Sequence, residues 1–478
     1  MSTALTVLTA FFVAAIGLGL LARRGRDMSL EQWSVGGRGF GTIFVFLLMA
    51  GEIYTTFTFL GGSGWAYGKG APAFYILCYG AIAYTLSYFL LPAIWRYGQR
   101  HQLLSQADYF AKKYDSRALG VLVGVVGVAA LVPYLVLQLK GLGIIVSEAS
   151  YGSIAPSTAV WAGAAALVLY VVVSGVRGSA WTAVLKDVMI LGVVVAIGVY
   201  LPIHYYGGYG PMFRAIERAH PGFLVLPARG MSPAWAISTI ILSALGFYMW
   251  PQYFASVFTA RSEDVFRKNA VVLPLYQLVI LFVFFAGFAA LLVVPGLAGA
   301  DADLSLLRVS KAAFGEGAVG VIGGAGLLTA LVPGSMILIA AATILAQNVY
   351  RALVPAATDR SVAIVARMLV PVVAVAAVLL TLRGGQAIVA LLLMGYNLVT
   401  QLFPALVLCV GPRRMISAGA AMAGIIAGEL TVAVITISGS SVASLLPAAP
   451  QIVKDLNVGI VALIVNVIVL CVFTVARR

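Results

Sequence analysis

The sequence predicts an all-α membrane protein with about thirteen transmembrane helices. Three observations carry this prediction. First, 62% of the 478 residues are hydrophobic and only 10% are charged, with a mean hydropathy of +1.04. A soluble domain carries about 25% charged residues, and apolar surface in this excess needs lipid as its solvent. Second, the apolar residues fall into runs long enough to cross about 30 Å of hydrocarbon at about 1.5 Å per residue. Third, the basic residues gather in alternate loops.

The runs cover 4–22, 40–66, 71–95, 119–146, 158–175, 181–203, 234–259, 270–295, 318–349, 362–382, 386–410, 415–437 and 457–476. They are too long for barrel strands and lack the alternation of such strands. The first run resembles a secretory leader, but Arg23, Arg24 and Arg26 follow it instead of preceding it. It is therefore read as a retained span with its N-terminus outside. On that placement 20 basic residues lie in or beside inner loops, among them Arg38, Arg96, Lys112, Lys113, Arg477 and Arg478, against 8 outside. This bias fits a multi-pass protein of a bacterial inner membrane with a cytoplasmic C-terminus. The loop at about 204–233 is too short to fold alone, and residues 297–317 are expected to form a helix lying on the outer surface.

Several function classes fall away. The net charge of +14 suggests nucleic acid in a soluble protein, but here it belongs to topology-setting loops. Cys78, Cys409 and Cys471 lie inside apolar runs, and His101, His204 and His220 lie in or beside loops. None has metal-ligand spacing, so no cofactor is expected. There is no GxxxxGK[ST] run to power an ATP-driven pump. No acid–base or metal cluster suggests an enzyme, and no filter-like motif suggests a channel.

Two runs are interrupted near mid-depth. The second holds Met49-Ala-Gly-Glu-Ile-Tyr-Thr-Thr-Phe-Thr58, and the seventh holds Ser243-Ala-Leu-Gly-Phe-Tyr-Met-Trp-Pro-Gln252. Backbone unwinds in a membrane only where it lines a cavity or is buried in protein. There, freed carbonyls attract cations and half-helix N-termini attract anions. The two breaks are five spans apart, the offset expected of two inverted halves, spans two to six (40–203) and seven to eleven (234–410). The first span (4–22) and the last two (415–476) are peripheral.

Ionisable residues within spans are functional candidates by default. Glu52 lies in the break and is expected either to exchange a proton or to help hold a cation. Lys140 either reaches the outer interface, pairs with Glu52, or neutralises an anionic solute. Lys186 is expected to reach toward the inner interface without pairing with Asp187, since sequence neighbours point to different helix faces. Asp187 is expected to face a cavity, and Glu429 to be structural.

Trp33-Ser-Val-Gly-Gly-Arg38, Gly61-Gly-Ser-Gly64, Gln106-Ala-Asp-Tyr-Phe110, Ser174-Gly-Val-Arg-Gly-Ser-Ala-Trp-Thr182 and Leu345-Ala-Gln-Asn-Val-Tyr350 resemble the sodium:solute symporter family. The resemblance implies thirteen spans, a LeuT-type 5+5 inverted-repeat core over spans 2–11, and alternating access. The run from Ala50 to Gly61 and Leu331-Val-Pro-Gly-Ser335 look like the family's monocarboxylate permeases.

The family's sodium site, carried over, takes the carbonyls of Gly51 and Tyr54 and hydroxyls of the ninth span. The usual Ser-Thr pair aligns with Val332 and Pro333, leaving Thr329 and Ser335 nearby. The coupling ion is therefore H+ or Na+, with the proton favoured. Thr55, Thr56 and Thr58 are expected to receive a solute carboxylate, with Tyr134, Gln138, Tyr248, Trp250 and Gln401 as walls. The expected solute is lactate-, pyruvate- or acetate-like; the alternative is a sodium-coupled symporter of the same fold for an amino acid or other small solute. The lipid bilayer is the other partner, and no obligate protein partner is evident.

Overall fold

The computed structural model describes residues 2–23 and 29–476. Arg24, Arg26, Arg477 and Arg478, counted above with the inner loops, lie outside the described residues. Among the described residues every regular element is helical.

Helices stand where the apolar runs predict them. The first span is Thr3–Ala22, the third Tyr75–Arg100, the fourth Arg117–Ala149 and the ninth Glu316–Ile344. The tenth is Asp359–Arg383, the twelfth Ala418–Ile437 and the thirteenth Val458–Val475. The eighth is built from Asp264–Gln277 and Ile280–Val293, and the eleventh from Ile388–Val399 and Phe403–Val410. Ser2, Ser116, Thr358, Ser417 and Asn457 cap five of these, each side chain accepting an amide of the first turn. Such caps satisfy donors that the helix itself leaves orphaned.

The fifth and sixth spans form one run, Pro156–Tyr206, of 51 residues. Straight, it would extend about 75 Å, more than twice the hydrocarbon thickness. It is not straight. Tyr170 and Thr182 share a hydroxyl–hydroxyl hydrogen bond of 2.8 Å, yet twelve residues of helix span about 18 Å. The chain folds back at Gly175, whose φ of 57° and ψ of −159° lie in a region essentially restricted to glycine. Trp33 closes over the turn, donating its indole N–H to Val171 O at 3.0 Å. A Cβ on Gly175 would meet Trp33 O at 2.7 Å.

The ninth span is the hub. Every residue in its apolar window is buried, against 22% for the first span and 28% for the thirteenth. A helix apolar on all sides belongs inside a bundle. Gly320, Gly324 and Gly326 let the first and second spans approach it; a Cβ at these positions would meet Ala4, Phe11 and Phe59 at under 3 Å. Small residues at such crossings are how membrane helices pack.

Residues 297–317 differ from expectation. They form Gly299–Leu304 and Ser305–Ala313, but Asp303, Leu306, Leu307 and Val309 are buried. The segment tucks between spans instead of lying on the surface. Asp303 draws it in, because its carboxylate has partners there.

Gly175→Ala is expected to cost about 1–3 kcal/mol of strain, with the Trp33 collision added. It should lower the thermal midpoint of purified protein. Gly192, with nothing within 4 Å of an added Cβ, is the control: Gly192→Ala should leave the midpoint unchanged. Equal loss in both would refute the reversal at Gly175.

Candidate solute and ion site

The second span stops at Gly51 and resumes as a widened helical turn, Phe57–Gly62, followed by Ser63–Lys69. Between them the i→i+4 ladder is interrupted where the Thr55, Thr56 and Phe57 amides turn to side chains. Thr55 N–H, which would otherwise pair with Gly51 O, donates to Thr58 Oγ1 at 3.1 Å. Thr58 Oγ1 in turn donates to Ile53 O at 2.7 Å, and Thr55 Oγ1 accepts from Phe57 N–H at 3.1 Å. Thr55 therefore caps the second half-helix, as Ser and Thr side chains do at helix starts, while Thr58 ties the break together.

The seventh span breaks at the matching place. Pro233–Gly246 gives way to a tight turn, Phe247–Met249, and then to Pro251–Thr259, with a 49° bend. Pro251 cannot donate to the ladder, and Trp250 is extended at φ −64°, ψ 128°. Gln106, fully buried, donates its amide to Met249 O at 2.8 Å. The short helix Gln106–Tyr114 thereby seals this break from the basic face.

Several predicted residues meet between the breaks. Glu52 Oε2 accepts weakly from Tyr134 at 3.5 Å and from Gln252 at 3.4 Å, while Tyr253 donates to Glu52 O at 3.2 Å. Thr56 donates to Gln138 Oε1 at 2.7 Å. Trp250 packs on Tyr134 with ring centroids 4.8 Å apart, and Tyr248 lies edge-on to Tyr253. All of these side chains are buried. Yet Glu52 Oε1, Gln138 Nε2, Gln252 Oε1 and Tyr248 OH have no partner among the described residues. Unpaired buried polar groups are costly and call for an occupant.

Beside this cluster sits Lys186, fully buried. Its ammonium donates to Gly51 O at 3.1 Å and Tyr54 O at 3.3 Å, and pairs with Asp187 Oδ1 at 2.8 Å. Tyr276 donates to the same carboxylate oxygen at 3.3 Å. This corrects two expectations, that Lys186 reaches the interface and that it does not pair with its neighbour. The span begins at Val176, not at 181, so Lys186 lies about 15 Å in, at mid-depth. At that depth two adjacent charges gain more from each other than from keeping to separate helix faces.

Other predicted residues are not brought to the breaks. Lys140 neither pairs with Glu52 nor reaches the interface freely; it donates to Asp303 Oδ2 at 3.2 Å and Gln386 O at 2.7 Å. It lies six residues, about 9 Å, beyond Tyr134. Asp303 also accepts from Ile388 N–H at 3.0 Å, so one carboxylate fastens the fourth span to the start of the eleventh. Burial holds the Asp303 carboxyl above its ordinary value, with Lys140 the main opposing influence. Gln401 faces the thirteenth span, donating to Gly459 O at 3.1 Å while its own backbone carbonyl accepts from Asn466 at 2.7 Å. Thr329 and Ser335 donate to Gly326 O and Val332 O on their own helix, and Ser335 also meets Ser179 at 2.5 Å. The ninth-span side chain nearest the Gly51 carbon is Val332, 3.7 Å from where a Cβ would stand. Glu429 is half-buried, with Oε1 unpartnered among the described residues.

Sequence reasoning passed over Tyr253, Tyr276, Gln106 and Asp303 as site-forming residues. Gln106 carries a signal: an amide opening the amphipathic loop helix Gln106–Tyr114. The others are made relevant only by tertiary contacts.

Broken second and seventh spans in an all-helical bundle define the LeuT-type class of membrane transporter. The structure superposes on a Na+-coupled sialic acid symporter in its substrate-bound, outward-open state with a TM-score of 0.81, covering 100% of this chain and 98% of that one at 16% identity. It also superposes on MhsT in complex with L-phenylalanine, with a TM-score of 0.52 at 13% identity, covering 90% and 97%. Residues 33–428 match the sodium:solute symporter family, and the chain belongs to it. It is 60% identical over 478 residues to the uncharacterized symporter YhjB of Bacillus subtilis (strain 168), covering 100% of this chain and 98% of that protein. It is 31% identical over 423 residues to a monocarboxylate transport permease of Rhizobium johnstonii, covering 85% and 83%. These relatives are transporters, not enzymes, and the chain is a multi-pass membrane symporter of small solutes.

Asp303→Asn should leave the Lys140 ammonium without its charge partner and lower the thermal midpoint, at a cost of about 1–3 kcal/mol for a pair with partial exposure. The double variant Lys140→Gln/Asp303→Asn should recover part of that loss. Simple addition of the two single losses would mean that the pair is not coupled.

Proposed function

We propose that the chain imports a small monocarboxylate by alternating access, coupled to a proton gradient in preference to sodium. One observation carries this reading: the second-span break places an incompletely satisfied carboxylate, Glu52, beside a half-helix N-terminus at mid-depth. The half-helix start, with the Thr55 hydroxyl, which only accepts in the contacts above, suits a solute carboxylate; Thr56 and Thr58 would reach it by giving up their bonds to Gln138 and Ile53 O. Tyr134, Gln138, Tyr248 and Trp250 enclose the apolar remainder. Glu52 carries the proton, binding it with the solute and releasing it on the other side. The halves 40–203 and 234–410 move against each other about this point, with the N-terminus outside. The Rhizobium relative's description supports the solute class. The absence of the Ser-Thr pair, with Val332 and Pro333 in its place, supports the proton.

In proteoliposomes, an inward proton gradient should drive accumulation of labelled lactate or pyruvate. Glu52→Gln should abolish accumulation by about tenfold or more, in the range of losing a positioned acid–base group, while leaving solute counterflow measurable. Uptake that is equal with and without imposed gradients would refute coupling. Full proton-driven accumulation by Glu52→Gln would refute the role of Glu52.

A further inference from the structure

The carbonyls of Gly51 and Tyr54 turn inward at mid-membrane with no amide to pair them. Oxygens so placed are what a hard monovalent cation needs. Here they already hold one. The Lys186 ammonium has three N–H donors and three oxygens in reach: Gly51 O at 3.1 Å, Tyr54 O at 3.3 Å and Asp187 Oδ1 at 2.8 Å. Lys186 is fully buried, and nothing in its coordination is left over. The ninth span brings Val332 to the same place, while its hydroxyls on Thr329 and Ser335 are spent on helix carbonyls.

We propose that Lys186 is a tethered cation that permanently fills the ion position of the second-span break, so that this symporter neither binds nor needs sodium there. The inference deepens the coupling assignment above and rests on the chain being a gradient-driven symporter. The groups facing the ammonium are Asp187 on its own span, Glu52 and Tyr54 on the second, and Tyr276 on the eighth; the ninth-span residues named above carry no charge. Asp187 neutralises Lys186 within the pair. Glu52, whose Oε1 is unpartnered among the described residues, is then the acid left to exchange a proton with each solute anion. A second cation brought to the same oxygens would meet the ammonium across a medium of low dielectric, where like charges repel strongly.

Thermal unfolding of the full chain, in sodium chloride against choline chloride at matched ionic strength, tests this without knowledge of the solute. The wild-type midpoint should be the same in both salts. Lys186→Ala removes the tethered charge and leaves two carbonyls and the Asp187 carboxylate. In that variant sodium, but not choline, should raise the midpoint, as any ligand of the native state does. A sodium-dependent rise in the wild type overturns the proposal, as does a folded Lys186→Ala protein indifferent to sodium. Should Lys186→Ala fail to fold, Lys186→Ser, which offers a hydroxyl to the orphaned carbonyls, takes its place, and the wild-type comparison stands without either variant. Sodium-driven accumulation by the wild type at fixed pH also overturns the proposal. A protein that accumulates no monocarboxylate under any gradient would instead refute the transport reading, while the salt comparison would still decide the tethered cation.

Discussion

A peptide carbonyl without a partner cannot be left in hydrocarbon, and the interior of this protein is arranged around that constraint. Breaking the second span frees the carbonyls of Gly51 and Tyr54, and the Lys186 ammonium satisfies both. Breaking the seventh frees Met249 O, and the Gln106 amide satisfies it. Each repair comes from another part of the chain. The breaks therefore tie the sixth span and the loop helix Gln106–Tyr114 to the centre, and the bundle cannot rearrange without exchanging those partners. A transporter that alternates its access depends on exchanges of this kind.

The same constraint accounts for the polar groups that remain. Gln138 Nε2, Gln252 Oε1 and Glu52 Oε1 are buried and unpartnered among the described residues, and all three lie where the two breaks face each other. Trp250 packs on Tyr134 beside them. The monocarboxylate proposed above would bring its charged end to these groups. The Lys140–Asp303 pair and its link to Ile388 close the site on one face. On the other face Arg38 donates to Leu103 O at 2.9 Å, and Asn348 to Asp108 Oδ1 at 2.7 Å. Two of the segments that resemble the family in sequence, Gln106–Phe110 and Leu345–Tyr350, thus meet on the basic face, whereas Gly61–Gly64 packs against Asp303 and Ile388 on the other.

Much of this was legible in the chain. Apolar run length set the spans, and the helix-weak stretches at Met49–Thr58 and Ser243–Gln252 marked both breaks, because local propensity is a local property. What could not be read was register in three dimensions. The reversal at Gly175 depends on one residue's ψ, so the sixth span starts five residues before the 181 that its apolar run suggests, and Lys186 lies at mid-depth instead of near an interface. An amide in a span needs a partner, which points Gln401 toward the cavity, but sequence does not say that the thirteenth span supplies it. Lys140 finds Asp303 across 163 residues, a pairing that no periodicity reveals.

The most direct measurement is an experimental density map of the purified protein in sodium-containing buffer, at a resolution that shows side chains around Gly51–Thr56. The account predicts an interrupted helix there, with continuous density from Lys186 to the carbonyls of Gly51 and Tyr54. An unbroken helix through those residues would contradict it. So would a Lys186 side chain turned away, with a separate ion held in its place.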